Sequence, residues 1–166
     1  MTTKREAIKD MIAKHESGGS YNKVYGGKEI PLDKMTIGEV LAWQDMQAKK
    51  GAKSTAVGKY QIIQKTMKDL SRRNPTDFGV DTLFTPEVQE WAADTLMDRR
   101  GYKDFEAGTK SSEDMALELA KEWASLPDPS TGKSYYDKDG LNKSHHKVED
   151  VYKVLDVVEA RPSGLR

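Results

Sequence analysis

The stretch KREAIKDMIAKHESGGS, residues 4–20, decides the fold because it joins an amphipathic helix to an acidic residue and a glycine turn. Its apolar side chains recur at three- and four-residue steps, the spacing of one helix face: Ala7, Ile8, Met11 and Ile12. The pair Gly18-Gly19 predicts that the helix ends there. Glu16 follows Ile12 by four residues, so we expect its carboxyl group at the end of the apolar stripe.

Glu16 is the leading candidate for acid chemistry. Partial burial at the end of an apolar stripe, together with the negative end of the helix dipole, predicts a raised pKa for this carboxyl group. A raised pKa suits a general acid, and Ser17 with two glycines predicts a sharp turn that lets a bulky ligand approach. The alternative interpretation is an ordinary solvated glutamate beside a simple C-cap.

Five further helices are predicted from caps, chain breakers and apolar spacing. They cover residues 36–51, 61–73, 85–101, 112–126 and 143–160. Thr36 and Glu39 have the spacing of a capping box, Thr85-Pro86 is a strong helix start, and Ser112 is read as a cap. Residues 20–35 predict a loop or short hairpin around a Gly-Gly turn. The pattern predicts one mainly helical α+β domain over residues 1–166, and two lobes with a cleft would fit it.

Composition excludes several classes of function. The counts of Lys+Arg and Asp+Glu are both 27, so no excess positive charge favours nucleic acid. No cysteine is present, which excludes disulfides, thiol nucleophiles and cysteine-based metal sites. The charged start MTTKREAIKD does not resemble a signal peptide, and no apolar run approaches the roughly 18 residues of a membrane span. We therefore expect no membrane insertion. If the protein acts outside the cytoplasm, we expect another component to release or deliver it.

Two other segments are candidates for ligand binding. In STAVGKYQI, residues 54–62, Gly58 allows close backbone approach, Tyr60 offers a ring face and Gln61 offers an amide. An aromatic with an amide suits a sugar, although packing and capping explain the same residues. Trp123 is interpreted as a core residue, and Tyr135-Tyr136 lie in a polar loop.

Several motif-like features do not carry chemistry. Gly132-Lys133-Ser134 has Pro127 where a phosphate loop needs glycine, so it is not a P-loop. The adjacent His145-His146 would point about 100° apart on a helix, and His15 has no partner at ligand spacing, so no metal site is predicted. We expect no cofactor.

Four segments in order resemble the phage endolysins of the lambda lytic transglycosylase type. They are ESGG (16–19), Gly26-Gly27, STAVGKYQ (54–61) and WASLP (123–127). The resemblance spans residues of about 5 to 136, and the helix predicted at 36–51 departs from the family's loop. It implies a lysozyme-like fold with a helical lobe, a small lobe containing a β-hairpin and a cleft between them. It also implies peptidoglycan glycan strands as the substrate.

The resemblance further implies residue roles. Glu16 matches the glutamate that protonates the glycosidic oxygen between N-acetylmuramic acid (MurNAc) and N-acetylglucosamine (GlcNAc), after which the muramic C6 hydroxyl closes onto C1. Substrate binding would fall to Ser17, Gly58, Lys59, Tyr60, Gln61 and Tyr135. A monomer without nucleic-acid partners is expected, made in the host cytoplasm and acting on the cell wall after release through a holin-type pore or delivery in the virion.

Two alternatives remain open at the level of sequence. A muramidase needs a second carboxylate, for which Glu29, Asp33 and Glu39 are the nearby candidates. A non-catalytic phage structural or wall-binding module would keep the scaffold, but it would tolerate loss of Glu16.

Overall fold

The computed structural model describes residues 2–136, 144 and 147–156. Within these residues the chain forms seven α-helices and a short 3-10 turn at Leu32–Lys34. The helices are α1 (Lys4–Glu16), α2 (Ile37–Lys49), α3 (Gln64–Arg73), α4 (Pro86–Arg99), α5 (Tyr102–Glu106), α6 (Ser112–Glu122) and α7 (Val148–Leu155). The predicted mainly helical fold is confirmed.

The chain divides into two compact units. The first unit consists of Met1–Ile12 and Met97–Arg166, and the second unit is Ala13–Leu96. In the first unit α6 packs against α5 and α7. Its buried apolar side chains include Ile8, Ile12, Met97, Tyr102, Met115, Leu119, Trp123, Leu126, Val151 and Leu155. The apolar stripes of α1, α6 and α7 therefore contribute much of the core of this unit.

In the second unit α2 packs against α3 around a core of aliphatic and aromatic side chains. The ring of Phe78 stacks on Trp91 at 5.8 Å between centroids and meets Phe84 edge-on at 6.1 Å. At the start of α2 the predicted capping box is present, because Thr36 Oγ1 accepts from the Glu39 amide and Glu39 Oε1 accepts from the Thr36 amide.

The predicted Gly-Gly turn is present, although its flanks form isolated β-bridges instead of regular strands in the described residues. Lys23 pairs with Glu29, and the Val24 amide donates to the Lys28 carbonyl at 2.8 Å. Gly26 and Gly27 have φ angles of +95° and +88°, which non-glycine residues rarely adopt.

Three helix predictions need correction, and one short helix was missed. The third helix begins at Gln64, not 61, because Gln61 has a φ of +47° and belongs to a tight turn. Helix α6 ends at Glu122 instead of 126, with Trp123 as its C-cap, and its N-cap is Ser111, whose Oγ accepts from the Asp114 amide at 3.1 Å, instead of Ser112. The short helix α5 was not predicted. The last helix begins at Val148, with Lys147 as its N-cap, instead of at 143, whereas His145-His146 and the predicted end at 157–160 lie outside the described residues. No helix within the described part of the chain is both long and apolar enough to cross a bilayer.

Candidate active site

The candidate site is built around the end of α1. Glu16 is the last residue of the helix and is partly exposed. The chain then turns through Gly18 and Gly19 at φ angles of +66° and +90°. Space next to both glycines is open, since a Cβ atom added at either position would meet nothing within 4 Å. The predicted turn at the C-terminal end of α1 is confirmed, and the space beside its two glycines is open to a ligand.

A pocket of about 300 Å³ adjoins this turn, and all its lining residues belong to the second unit. The end of α1 contributes Glu16, Ser17 and Gly18 to the wall. The rest of the wall consists of Lys23, Val24, Gly26, Gly27 and Gln61. Of these lining residues, Glu16 carries the one carboxyl group and Lys23 the one ammonium group.

Ser17 ties the end of α1 to a second segment of chain. Its hydroxyl donates to the Lys59 carbonyl at 2.6 Å and accepts from the Gly19 amide at 3.1 Å. The side chain is buried, with 5% of the residue exposed. Ser17 therefore fixes the chain beside Glu16, while its predicted contact with substrate stays a prediction.

The second segment is the turn at residues 58–61, which connects the bridged residues Val57 and Ile62. Gly58 has a φ of +82°, and a Cβ atom there would lie 2.5 Å from Gln89 Oε1. That oxygen accepts from the Lys59 amide at 2.9 Å. Gly58 is thus required both for its backbone conformation and for the close approach of Gln89.

Gln61 is the residue of this turn that reaches the pocket. Its Nε2 donates to the Gly58 carbonyl at 2.8 Å and to the Lys23 carbonyl at 3.1 Å. No hydrogen bond in the described residues uses Gln61 Oε1, so this oxygen can accept from a ligand hydroxyl. The prediction that Gln61 offers an amide to substrate is consistent with this placement.

Tyr60 lies in the core instead of the pocket wall. The residue is 1% exposed, and its hydroxyl donates to Glu90 Oε1 at 2.6 Å. A ring covered to this extent presents no face on which a sugar could stack, so the packing interpretation replaces the stacking one. Lys59 likewise turns to Glu90, with Nζ 2.8 Å from Oε2. The side chains of Tyr60 and Lys59 therefore attach the turn to Glu90 on helix α4.

Comparison with protein families decides the identity. The family model described as Endolysin matches residues 6–153. The chain belongs to the Endolysin family. It is an endolysin, a peptidoglycan-degrading enzyme.

The fold of this endolysin is similar to that of bacteriophage lambda lysozyme. The solved structure of that enzyme, complexed with a chitohexasaccharide, superimposes with a TM-score of 0.56 at 18% sequence identity, over 94% of each chain. The similarity confirms the predicted lysozyme-like fold. No curated protein sequence gives a significant match.

The three acids proposed as a second carboxylate do not line the pocket of the endolysin. Glu29 accepts from the Ser20 hydroxyl at 2.5 Å. Glu39 closes the capping box of α2, and the hydrogen bond from the Thr36 backbone lowers its pKa. The backbone amide of Asp33 donates to Asn22 Oδ1. The structure therefore does not bring these carboxylates together with Glu16 as lining groups of one pocket.

Tyr135 belongs to the first unit, where it is 47% exposed and packs edge-on against Tyr136 at 5.1 Å. Its assignment to substrate binding stays a prediction. Trp123 is 3% exposed, which confirms the core interpretation. The sequence Gly132-Lys133-Ser134 forms part of a turn closed by a bridge between Pro127 and Ser134, a conformation unlike a phosphate loop.

Three residues at the site were missed by the sequence analysis. Lys23 lines the pocket, Gln89 holds the turn at 58–61, and Glu90 binds two of its side chains. Lys23 sits in a predicted hairpin and could have been noticed for its charge. Gln89 and Glu90 lie within an ordinary helix, and only the tertiary structure brings them to the turn. In the described residues no group of His, Asp or Glu has an arrangement that would hold a metal ion.

Proposed function

We propose that this endolysin is a lytic transglycosylase that cleaves the β-1,4 bond between MurNAc and GlcNAc. The observation that carries the proposal is the composition of the pocket wall, where Glu16 is the one carboxyl group among the lining residues. A hydrolase of the lysozyme type uses two carboxyl groups flanking the scissile bond. A transglycosylase needs one group that acts first as an acid and then as a base.

In the proposed reaction the Glu16 carboxyl group gives its proton to the glycosidic oxygen, and the bond from this oxygen to C1 of MurNAc breaks. The leaving GlcNAc keeps the proton as its 4-hydroxyl group. The C6 hydroxyl oxygen of the same MurNAc then forms a bond to C1, and its proton passes to the Glu16 carboxylate. The product carries a 1,6-anhydro ring, no water is consumed, and the acid is restored.

The pocket also supports binding of a glycan strand. Glycines at 18, 26 and 27 keep the wall free of side chains, and the Gln61 amide offers an acceptor for a sugar hydroxyl. Lambda lysozyme, which shares the fold, has been solved with a chitohexasaccharide. We infer that the glycan strand of peptidoglycan binds across this wall beside Glu16.

Mass spectrometry of muropeptides released from purified peptidoglycan tests the proposal. The expected products end in 1,6-anhydro-MurNAc and are lighter by one water than lysozyme products. Reducing MurNAc ends would establish a muramidase instead. Absence of any soluble product from a folded sample would establish a binding module.

A further inference from the structure

Three polar side chains converge on the carboxylate of Glu90, on helix α4. Tyr60 donates to Oε1 at 2.6 Å, Tyr21 donates to Oε2 at 2.7 Å, and Lys59 donates to Oε2 at 2.8 Å. All four residues belong to the second unit. None lines the pocket, so the cluster has no direct part in the chemistry proposed for Glu16.

The cluster is partly withdrawn from solvent and stays charged. The side chain of Lys59 is 16% exposed and that of Glu90 is 28% exposed. The Lys59 ammonium also lies over the rings of Tyr21 and Tyr60, at 4.9 Å and 5.5 Å from their centroids. Burial lowers the pKa of Lys59, but the hydrogen bond and charge of Glu90 outweigh it and raise the pKa overall. Burial, followed by the hydrogen bond to Glu90, raises the pKa of Tyr21.

The cluster connects to the acid through the backbone of Lys59. The carbonyl of Lys59 accepts the hydroxyl of Ser17 at 2.6 Å, and Ser17 follows Glu16 directly in the chain. The amide of Lys59 is held by Gln89, so both backbone groups of this residue are fixed. A displacement of Lys59 would therefore move the partner that Ser17 holds, and with it the end of α1.

We propose that Glu90 is a positioning residue for the pocket: it holds Lys59 and Tyr60, and through the bond from Ser17 to Lys59 it sets the position of Glu16. This proposal rests on the function proposed above. Because Gln61 is held by its own bonds to Gly58 and Lys23, loss of Glu90 acts on the proton transfer more than on substrate binding. The expected effect falls on kcat, with KM nearly unchanged.

The first unit supplies a matched control. Glu122 accepts from Arg100 Nε at 3.0 Å, with a side chain 16% exposed, so it forms an ion pair of similar burial that does not adjoin the pocket residues in sequence. Burial lowers the pKa of Arg100, but the bond and charge of Glu122 outweigh this and raise it. Arg100 also contacts Glu118 Oε1 at 3.4 Å, so removing Glu122 leaves the Arg100 charge partly paired, and we expect the smaller loss of stability for Glu122→Gln. Only the pair at Lys59 connects to Ser17.

The experiment compares Glu90→Gln with Glu122→Gln, with kcat and KM measured on soluble glycan strands and Tm measured on each protein. We expect both variants to lose some thermal stability. For Glu90→Gln, kcat should fall about tenfold, within the roughly hundredfold that a 1 Å misplacement can cost, while KM changes by less than about twofold. For Glu122→Gln, kcat should equal that of the wild type at a temperature where both are folded.

Tyr60→Phe provides a second variant if Glu90→Gln does not fold, because it keeps the ion pair and removes one hydrogen bond. A decrease in kcat of about threefold at constant KM would support the proposal, within the effect of small misplacements. Equal kcat for folded Glu90→Gln and wild type, or an equal decrease in Glu122→Gln, would overturn it. If the Glu90 proposal fails in this way but Glu16→Gln is inactive, the proposed function still stands. If Glu16→Gln remains active, the proposed function is itself contradicted.

Discussion

Different kinds of contact stabilise the interior of each of the two units of the endolysin. In the first unit, α6 and α7 pack through apolar stripes whose residues Met115, Leu119, Val151 and Leu155 are at most 1% exposed. In the second unit, the irregular chain near the pocket relies on polar side chains that bind backbone groups. Gln44 donates to the carbonyls of Thr55 and Ile62. Because Gln44 is fully buried, such side-chain bonds to the backbone also occur in the core of this unit.

The difference follows from the backbone. A helix satisfies its own carbonyls and amides, so its packing needs only an apolar face. The turns at 18–19 and 58–61 leave backbone groups that side chains satisfy: Ser17 Oγ accepts from the Gly19 amide, and Gln89 Oε1 accepts from the Lys59 amide. The second unit therefore holds a site in fixed geometry, and single substitutions there should cost more function than comparable substitutions in the first unit.

The largest expected effect is that of Glu16→Gln. The amide keeps the size of the side chain but cannot supply the proton, so activity should fall by at least the roughly hundredfold typical of a general acid. The Tm should stay close to that of the wild type, because Glu16 is partly exposed at a helix end. Release of soluble fragments from peptidoglycan, beside thermal unfolding, measures both.

Glu29→Gln is the control for this prediction, since it removes a carboxyl group of the same unit that does not line the pocket. It should retain most of the activity. Near wild-type turnover by Glu16→Gln would contradict the assignment of the acid. Loss of activity in both variants would point to a second carboxylate.

A pair of glycine substitutions tests the contrast between units directly. Gly58→Ala places a Cβ atom 2.5 Å from Gln89 Oε1 at a φ of +82°, so strain and steric overlap should together cost about 2–4 kcal/mol. This corresponds to a Tm lower by about 4–16 °C for a chain of this size. The folded fraction should also lose activity, because the turn carries Gln61 and the partner of Ser17.

Gly132→Ala is the matched substitution in the first unit, where φ is +74° and a Cβ atom would meet nothing within 4 Å. Only the backbone strain applies, so we expect a cost of about 1 kcal/mol and full activity. Equal losses of activity in the two variants would break the proposed difference between the units.

Two neighbouring residues of the turn should separate stability from binding. Tyr60→Phe removes a hydrogen bond to a charged acceptor in the core, so we expect a cost of about 1.5–3 kcal/mol and unchanged affinity for a chito-oligosaccharide. Gln61→Asn keeps an amide that tolerates positive φ but shortens it, so affinity should decrease about two- to tenfold, as for one lost hydrogen bond. Calorimetric measurement of affinity, together with the Tm of each variant, distinguishes the two roles. Weaker binding by Tyr60→Phe with an unaltered Tm would show that Tyr60 binds the glycan.

The smallest effect on stability is expected for Tyr135→Ala. Its ring is 47% exposed, so the change in unfolding free energy should stay within about 0.5 kcal/mol. If the residue binds glycan, as the family resemblance implies, affinity should decrease at least about twofold, the loss of one aromatic contact. Unchanged affinity would remove Tyr135 from the binding residues.

Much of the helical framework could be predicted from the sequence because its signals are local. The capping box at Thr36 and the proline at the start of α4 fix helix starts through neighbouring residues alone. The helix at Tyr102–Glu106 was missed because it spans five residues, too few for an apolar repeat to appear. Gly101, which precedes this helix in a left-handed conformation, also has the pattern of a residue that ends the preceding helix.

The candidate site could be predicted only in part for the same physical reason. Glu16 and its glycine turn adjoin one another in sequence, so their placement follows from helix geometry. The role of Tyr60 depends on Glu90, which lies 30 residues away, and a local pattern cannot distinguish a buried ring from a ring that faces a ligand. Lys23 and Gln61 reach one pocket through a contact across 38 residues.

Digestion of peptidoglycan in water enriched with ¹⁸O tests the central claim most directly, namely that Glu16 works as the one carboxyl group of the site. Closure of the muramic C6 hydroxyl onto C1 uses no water, so the released MurNAc ends should carry no ¹⁸O and should be 1,6-anhydro forms. Hydrolysis places one solvent oxygen on C1 of every new end. Stoichiometric ¹⁸O in the released ends at the earliest times would contradict the account and require a second group that activates water.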